Sequence, residues 1–298
     1  MAILKRILLF FMINLFVIMT LSFILNFFNI RPYLTGQGIN YDHLLIFCLV
    51  WGMGGSLISL FFSRSIAKHM MGVKLIDCET AGAETQKLCA ILKELCHDAG
   101  LPALPQLGIY ESKEVNAFAT GPSKTKSLIA LSSGLVSRLG DAEIKAIMAH
   151  EISHIASGDM VTMTLLQGIV NAFVMFLARI LAHLFAGSGD RKRSSYMSYY
   201  LFTMLFELIF MLLGSLVVAF FSRQREFQAD RGGAYLAGKE NMIEALSSLR
   251  VMQHIRDIKT ENKSIAAFKI STPLRSRLFR WLASHPPLEE RIERLKAL

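Results

Sequence analysis

At residues 149–154 the chain reads Ala149-His150-Glu151-Ile152-Ser153-His154. Residues four apart lie one above the other on an α-helix, so His150 and His154 can both direct a ring nitrogen at one zinc ion, about 2.0–2.1 Å away. Glu151 lies on the neighbouring edge, where it can take a proton from an attacking water without being a ligand itself. The segment therefore predicts the hydrolytic zinc site of a metallopeptidase.

A His-Glu-x-x-His match alone is a weak signal, since about one chain in a hundred of this length would contain one by chance. Its surroundings strengthen it, because residues 141–149 carry apolar side chains at helical spacing. Asp141 is the expected N-cap of this helix, and Gly158-Asp159 is expected to end it. The motif is therefore predicted to lie on a helix, as the metal geometry requires.

A catalytic zinc takes three protein ligands and leaves the fourth position for water. The candidate third ligand is Glu226, in the helical segment Arg225-Glu226-Phe227-Gln228-Ala229-Asp230. Asp230 lies four residues later on the same face, where it is expected to accept the N–H of a ligating imidazole and fix its tautomer. The alternative is a solvated helix whose carboxylates pair with neighbouring arginines. The upstream motif favours the metal site.

The composition indicates a membrane protein. Of 298 residues, 53% are hydrophobic and only 18% are charged, which is too apolar for an ordinary soluble enzyme. Ile7 to Ile30 contains no charged residue and is long enough to cross the roughly 30 Å hydrocarbon layer as a helix. We expect it to remain as an anchor, because it is longer than the core of a signal peptide and no small-residue cleavage site follows it.

A second apolar segment, Leu44 to Phe62, completes a predicted transmembrane hairpin over residues 1–62. Basic residues precede the hairpin and follow it, whereas the link between its spans holds only Arg31 and Asp42 as charged residues. By the positive-inside rule both outer ends face the cytoplasm. Residues 63–159, with the motif helix, are therefore predicted to form a cytoplasmic α+β catalytic region.

Two later apolar segments, Met160 to Ala186 and Met197 to Phe221, are predicted to form a second hydrophobic hairpin over residues 160–221. Whether both cross the membrane is left open, because a basic link separates them and they contain Arg179, His183 and Glu207. An even number of crossings must separate the two parts of the metal site, so two spans or a non-spanning hairpin are allowed and a single crossing is excluded. Residues 222–298 then form a cytoplasmic helical region with the third ligand.

Short elements are predicted between the hairpins. Thr80 to Ala99 has helical periodicity, and Gln106 to Ile109 and Leu128 to Leu131 are typical of strands. Between these strands lies an extended segment of mostly small side chains, where a substrate backbone could pair as an added strand. Its predicted substrate-binding residues are Asn116, Ala117, Phe118 and Ala119. The alternative is an ordinary edge strand.

A final helix is expected to end near Leu298, with Pro287 in its first turn. His285, at the entrance of that helix, could donate a hydrogen bond to the oxyanion that forms when water attacks a peptide carbonyl, with Arg291 assisting. A lone histidine is more often structural, and only the zinc motif makes the catalytic interpretation the better one.

The chain has a formal charge of +9, and its basic residues cluster beside apolar segments. Contact with anionic lipid explains this placement better than binding of nucleic acid does. Three of the four cysteines fall in the predicted cytoplasmic region, where thiols stay reduced, and none is in a Cys-x-x-Cys pair. We therefore expect free thiols at Cys48, Cys78, Cys89 and Cys96.

The motifs together resemble the HtpX-type heat-shock membrane metalloproteases, in the peptidase family that also includes the CAAX prenyl protease. The resemblance covers nearly all of the chain and is carried by Asn116-Ala117-Phe118-Ala119-Thr120-Gly121, His150-Glu151-Ile152-Ser153-His154, Arg225-Glu226-Phe227-Gln228-Ala229-Asp230 and His285-Pro286-Pro287. It implies a mainly helical α+β membrane protein with a gluzincin-like core. It also implies one zinc ion per chain, ATP-independent endopeptidase activity on misfolded or damaged membrane proteins, and a bacterial inner-membrane location. The absence of a Walker motif agrees with ATP independence.

Three functions are compatible with the sequence. Proteolytic quality control of membrane proteins is favoured, and specific processing, as by a prenyl-protein protease, is the runner-up. The third is a membrane scaffold with structural zinc, but a structural site is normally closed by four protein ligands and would not need Glu151. The oligomeric state cannot be inferred from the sequence.

Overall fold

The computed structural model describes residues 40–80, 82–186, 192–264 and 285–298. The first predicted span, residues 7–30, lies outside them. The described residues form two compact units. The first contains those up to Ile58 and those between Thr164 and Ser215, and the second contains those of Ser59–Met163 and Leu216–Leu298. Most residues are helical, and one small sheet is present, so the predicted α+β, mainly helical fold is confirmed.

Three described helices are long and apolar enough to cross a membrane. They are α1 (Tyr41–Met70), α5 (Asp159–Ala186) and the part of α6 (Lys192–Ala237) that begins at Met197. The three apolar segments predicted between residues 44 and 221 lie within these helices. In the most apolar stretch of α6 only 6% of the residues are buried inside the protein, as expected of side chains that face lipid.

The first unit packs parts of these helices together. Its core includes Cys48 of α1 and Phe176 of α5, both fully buried. Arg179 pairs with Glu207 of α6, with Nη1 and Oε1 2.9 Å apart, and its guanidinium lies 5.9 Å from the ring centroid of Phe47. Charged groups among apolar helices normally find such partners, because an unpaired charge is costly there.

The second unit contains a four-stranded sheet in the order β1-β2-β4-β3. Its strands are β1 (Lys74–Leu75), β2 (Gln106–Tyr110), β3 (Ala117–Ser123) and β4 (Lys126–Ser132). β2 and β4 pair in parallel, whereas the other pairs are antiparallel. β2 and β4 contain the two strands predicted from the sequence, and β3 contains most of the predicted extended segment at one edge.

The remaining helices cover this sheet and each other. They are α2 (Ala83–Asp98), α3 (Ser133–Val136), α4 (Asp141–Ser157), α7 (Lys239–Ser264) and α8 (Leu288–Lys296). α4, the motif helix, packs between the sheet, α2 and α7, and Met148, Ile152 and Ile155 are fully buried. A helix surrounded in this way has little freedom to move, which makes it a rigid carrier for functional side chains.

The ends of α4 differ slightly from the prediction. The N-cap is Gly140 rather than Asp141, which is the first helical residue. Glycine has no side chain that can cap the helix. Instead Glu143, at position N3, accepts a hydrogen bond from the Gly140 N–H at 2.8 Å, as the glutamate of a capping box does. At the other end Gly158 has φ +72°, the left-handed conformation that glycine adopts at low cost. Similarly, α8 begins one residue after Pro287, which is its N-cap.

The expectation of four free thiols is wrong for two of them. Cys78, in the loop after β1, and Cys89 of α2 form a disulfide, with Cα atoms 5.8 Å apart. Cys48 and Cys96 are free and buried. The pairing is not visible in the sequence because it depends on how the loop after β1 lies against α2, and the two cysteines are 11 residues apart.

Close packing of α6 on α4 in the second unit yields a testable prediction. A Cβ added at Gly232 would overlap Ser153 Oγ and lie 2.8 Å from Ser153 Cβ, and Ser153 is buried. Gly232→Ala should therefore lower the free energy of unfolding by about 1–3 kcal/mol, the usual cost of overpacking. Thermal unfolding of the detergent-purified protein measures it, and Ser153→Ala in the same chain should restore part of the loss.

Gly54→Ala provides the matched control, because Gly54 is also helical but a Cβ there meets nothing within 4 Å. Alanine is the better helix former, so this variant should be neutral or slightly more stable. Equal melting temperatures for the two variants would contradict the close approach of α6 to α4.

Candidate metal centre

Three predicted ligands meet in the second unit. His150 Nε2 and His154 Nε2 lie 3.2 Å apart, His154 Nε2 is 3.4 Å from Glu226 Oε1, and His150 Nε2 is 3.7 Å from Glu226 Oε2. Ligands about 2.0–2.1 Å from a tetrahedral zinc ion would be separated by roughly 3.3–3.4 Å. The two ring nitrogens and the two carboxylate oxygens therefore lie at close to the spacing that one ion needs, and we call His150, His154 and Glu226 the metal-ligand triangle.

The residues fit a divalent metal for two further reasons. Two imidazole lone pairs only 3.2 Å apart repel each other unless a proton or a cation lies between them. Glu226 Oε2 is fully buried and accepts no hydrogen bond of good geometry from a described residue, although His285 Nδ1 is 2.8 Å away. A buried carboxylate oxygen without a proper donor is costly, and a metal ion would satisfy it.

The charges around this triangle favour an ionised Glu226. Burial alone would raise the pKa of its carboxyl, but contacts from His150, His154 and His285 hold that pKa far below its usual range. Burial lowers the pKa of His154, whereas Asp159 and Glu226 together raise it to about 9. Protons and a metal ion therefore compete for the same imidazole nitrogens.

Asp230 and Arg291 support His150 from behind. Asp230 Oδ1 lies 3.0 Å from His150 Nδ1, which is ion-pair distance, although the N–H direction is not that of a good hydrogen bond. Arg291 donates two hydrogen bonds to Asp230, from Nε at 2.8 Å and from Nη2 at 2.6 Å. Burial would raise the pKa of Asp230, but Arg291 and His150 keep it below its usual value. The predicted contact between Asp230 and a ligating imidazole is thus present, with His150.

His154 has a corresponding carboxylate that the sequence argument missed. Asp159, which was assigned only to the end of the motif helix, lies with Oδ2 2.7 Å from His154 Nδ1. Arg225 contacts Asp159 in turn, with Nε 3.3 Å from Oδ2. The available signal was an acidic residue directly after Gly158, where a left-handed helix end turns the chain back toward the last turn of the helix.

Glu151 and His285 complete the surroundings of the triangle. Glu151 is 9% exposed, and it makes no ion pair or hydrogen bond within the described part of the chain. The side chain of His285 is 69% exposed, with Nδ1 2.8 Å from Glu226 Oε2. A carboxylate that no described residue pairs with and an accessible imidazole thus accompany three side chains that could hold a metal ion, as acid–base hydrolysis requires.

The predicted substrate segment lies at the sheet edge that packs against α4. Ala117, Phe118 and Ala119 belong to β3 and pair with β4 on one side, and no described strand pairs with the other side. The Asn116 N–H donates to Ser132 Oγ at 3.0 Å, which fixes the start of the strand. β3 is an edge strand, and it lies in the unit that holds the metal-ligand triangle.

Known proteins resemble this chain over nearly its whole length. The model for "Peptidase family M48" matches residues 82–298. The chain is 45% identical over 300 residues to a protein named "Protease HtpX homolog" from Bacillus licheniformis, covering 98% of this chain and 99% of that protein. It is 41% identical over 297 residues to "Protease HtpX" of Thioalkalivibrio sulfidiphilus, covering 99% of each.

A solved structure has the same fold. The crystal structure of S. mikatae Ste24p superposes with a TM-score of 0.58 and covers 97% of this chain and 67% of the Ste24p chain. Sequence identity is 19%, so this likeness concerns the fold alone.

Proposed function

Because the chain belongs to peptidase family M48 and is a membrane metalloprotease, we propose that it is a zinc-dependent, ATP-independent endopeptidase that removes misfolded or damaged membrane proteins. The observation that carries this proposal is the triangle formed by His150, His154 and Glu226, together with the buried carboxylate of Glu151, which no described residue pairs with. The names of the full-length relatives favour this function over specific prenyl-protein processing. A scaffold with structural zinc is disfavoured, because three ligands leave a position open and Glu151 would have no role.

In this proposal His150, His154 and Glu226 hold one zinc ion per chain. Two histidines and a glutamate are a ligand set found in zinc peptidases. When bound, the ion would polarise the scissile carbonyl and lower the pKa of the attacking water. Asp230 and its partner Arg291 keep the His150 ring oriented, so that Nε2 faces the ion and Nδ1 faces the carboxylate.

Glu151 is the proposed general base. It follows the ligand His150 directly, is largely buried, and has no competing cation within bonding distance among the described residues. Its carboxylate takes a proton from the attacking water and passes that proton to the leaving amine, so no covalent bond between enzyme and substrate is required. Both transfers use the same oxygen atoms, which the rigid helix α4 holds in one place.

His285 is proposed to stabilise the oxyanion that forms as water attacks. Its side chain is accessible and already lies against the metal-ligand triangle, so a rotation would direct an N–H at the substrate oxygen. Arg291, which the sequence predicts to assist His285 at the oxyanion, directs two of its donors to Asp230 instead.

The proposed substrate binds as an added strand on β3, along Asn116, Ala117, Phe118 and Ala119. An edge strand offers unpaired backbone groups, and an extended peptide satisfies them by pairing. A folded protein presents extended backbone only at a few strand edges and loops, whereas a misfolded or damaged one exposes much more of it. This requirement gives the proposed selectivity a physical basis.

The selectivity can be measured with the full-length protein in detergent, supplied with zinc. A membrane-protein substrate should be cleaved faster after destabilisation than in its folded form, at a rate that ATP does not change. Gel analysis and mass spectrometry of the fragments follow the reaction. Cleavage of prenylated peptides alone, with unfolded membrane proteins left intact, would contradict quality control and indicate specific processing.

We further propose that the protein lies in the bacterial inner membrane with its catalytic unit in the cytoplasm. Arg64 and Lys68 near the end of α1, with Lys74 soon after it, support this orientation. The Cys78–Cys89 disulfide argues for the opposite side, because cytoplasmic thiols are kept reduced. If a membrane-impermeant thiol reagent labelled these cysteines in intact, mildly reduced cells, the proposed orientation would be wrong.

A further inference from the structure

We propose that Asp159 and Arg225 form a positioning pair that holds His154 in the orientation and tautomer that metal binding requires. Asp159 is 8% exposed and lies with Oδ2 2.7 Å from His154 Nδ1. Arg225 lies beside the same carboxylate oxygen, 3.3 Å away. The inference rests on the proposed metal centre and adds two residues to it.

The chemistry of imidazole explains why His154 needs such a partner. Its Nε2 faces the other ligands, 3.2 Å from His150 Nε2 and 3.4 Å from Glu226 Oε1. A neutral ring that binds a metal through Nε2 carries its proton on Nδ1, and this N–H is buried and requires an acceptor. Asp159 is that acceptor, and because it fixes Nδ1 it also fixes the direction of the Nε2 lone pair.

Arg225 fixes Asp159 by two contacts. Its Nε lies 3.3 Å from Oδ2, at ion-pair distance but without the direction of a good hydrogen bond, and its Nη1 donates to the Asp159 backbone carbonyl at 3.3 Å. A largely buried carboxylate is unfavourable without a counter-charge, and Arg225 supplies one. Arg225 also directly precedes Glu226 on α6. The contact between Arg225 and Asp159 therefore links the helix that carries Glu226 to the carboxylate that orients His154.

The same arrangement exists on the other side of the triangle. There His150 contacts Asp230, and Arg291 holds Asp230. Each of the two imidazoles is therefore backed by its own aspartate, and each aspartate by its own arginine. The repetition indicates that Asp159 and Arg225 act on the metal ligand and do more than close an ordinary surface ion pair.

A purely structural explanation makes a different prediction. Asp159 lies in the first turn of α5, where a carboxylate stabilises any helix through the dipole. If that were the only role of Asp159, its removal would lower the thermal stability without a specific change in metal affinity. Asp141 provides the matched control, because it lies in the first turn of α4 but is exposed, and its one ion pair among the described residues is with exposed Lys87.

The test compares the full-length protein with Asp159→Ala, Asp159→Asn, Arg225→Met, Asp159→Ala/Arg225→Met and the control Asp141→Ala. Zinc affinity is measured by competition with a chelator, the absorption spectrum of bound Co²⁺ reports ligand geometry, and thermal unfolding without metal reports the fold. We expect Asp159→Ala to bind zinc about 10–100-fold more weakly with an altered Co²⁺ spectrum. Asp159→Asn, which retains an acceptor oxygen, should lose less.

Coupling between the two residues gives a second criterion. Because Arg225 acts through Asp159, the double variant should bind zinc no more weakly than Asp159→Ala alone, so that the two effects are not additive. Zinc affinity and a Co²⁺ spectrum unchanged in Asp159→Ala, or an equal loss in Asp141→Ala, would overturn the inference. A wild type that binds zinc but cleaves nothing would contradict the proposed activity alone, whereas one that binds no metal would overturn both.

Discussion

Glu151→Gln should abolish most peptide cleavage while the protein still binds one metal ion. The amide has nearly the shape of the carboxylate but cannot accept the proton of the attacking water. General acid–base groups contribute about 10²–10⁴-fold to rates, and we expect a loss of cleavage rate in that range. Glu151 has no ion pair or hydrogen bond to lose among the described residues, so folding and metal affinity should change little.

The measurement pairs initial cleavage rates with metal content of the same samples. Glu244→Gln is a suitable control, because it removes a helical carboxylate of the same unit that lies outside the metal-ligand triangle. A Glu151→Gln enzyme with near wild-type rates would show that another group is the base. Loss of metal together with activity would assign Glu151 to binding instead.

Glu226→Gln should produce the second large effect, the loss of the metal itself. The substitution replaces the anionic ligand, leaving two imidazoles and a neutral amide that does not offset the charge of the ion. Removing groups that merely orient ligands weakens metal binding about 10–100-fold, and removal of a ligand should exceed that. Cleavage should fall in proportion to metal content and recover partly at high zinc concentration.

Elemental analysis after dialysis against a weak chelator measures this prediction. Glu290→Gln is the control, since Glu290 is exposed on α8 and pairs with Arg294. If Glu226→Gln retained one tightly bound zinc ion per chain, the ligand would have to be sought elsewhere. Retained zinc together with an unchanged cleavage rate would show that Glu226 has no part in the site.

Much of the metal centre could be predicted from the sequence because its parts are local. His150, Glu151 and His154 occupy one turn of one helix, so helical geometry alone determines their relative positions. Glu226 and Asp230 are related in the same way on α6. That α4 and α6 meet at one site depends on the topology of the chain. The only indication of this in the sequence was that a catalytic zinc requires a third ligand.

The missed features depend on contacts between segments rather than on spacing within one. Asp159 reaches His154 because Gly158 adopts a left-handed conformation, a conformation that ends many helices without forming any site. The Cys78–Cys89 disulfide was missed because compartment arguments cannot detect two cysteines that a loop brings together. Arg291 was predicted near the oxyanion, but the sequence could not show that Asp230 would engage two of its donors.

The fold was partly predictable for a similar reason. Long apolar runs determined three helices, because few structures other than helices satisfy their backbone groups in lipid. The strands β2 and β4 were recognisable as short apolar segments between turn residues. β1, with two residues, carries no periodic signal, and its place beside β2 depends on the loops around it.

The most direct test of the central claim is a zinc titration of metal-free wild-type protein in detergent, with cleavage rate and bound zinc measured on the same samples. A zinc metallopeptidase with one site per chain predicts no cleavage without metal and a linear rise in rate that ends at one zinc per chain. Cleavage that persists in metal-free protein, or saturation of zinc without any cleavage, would contradict the account.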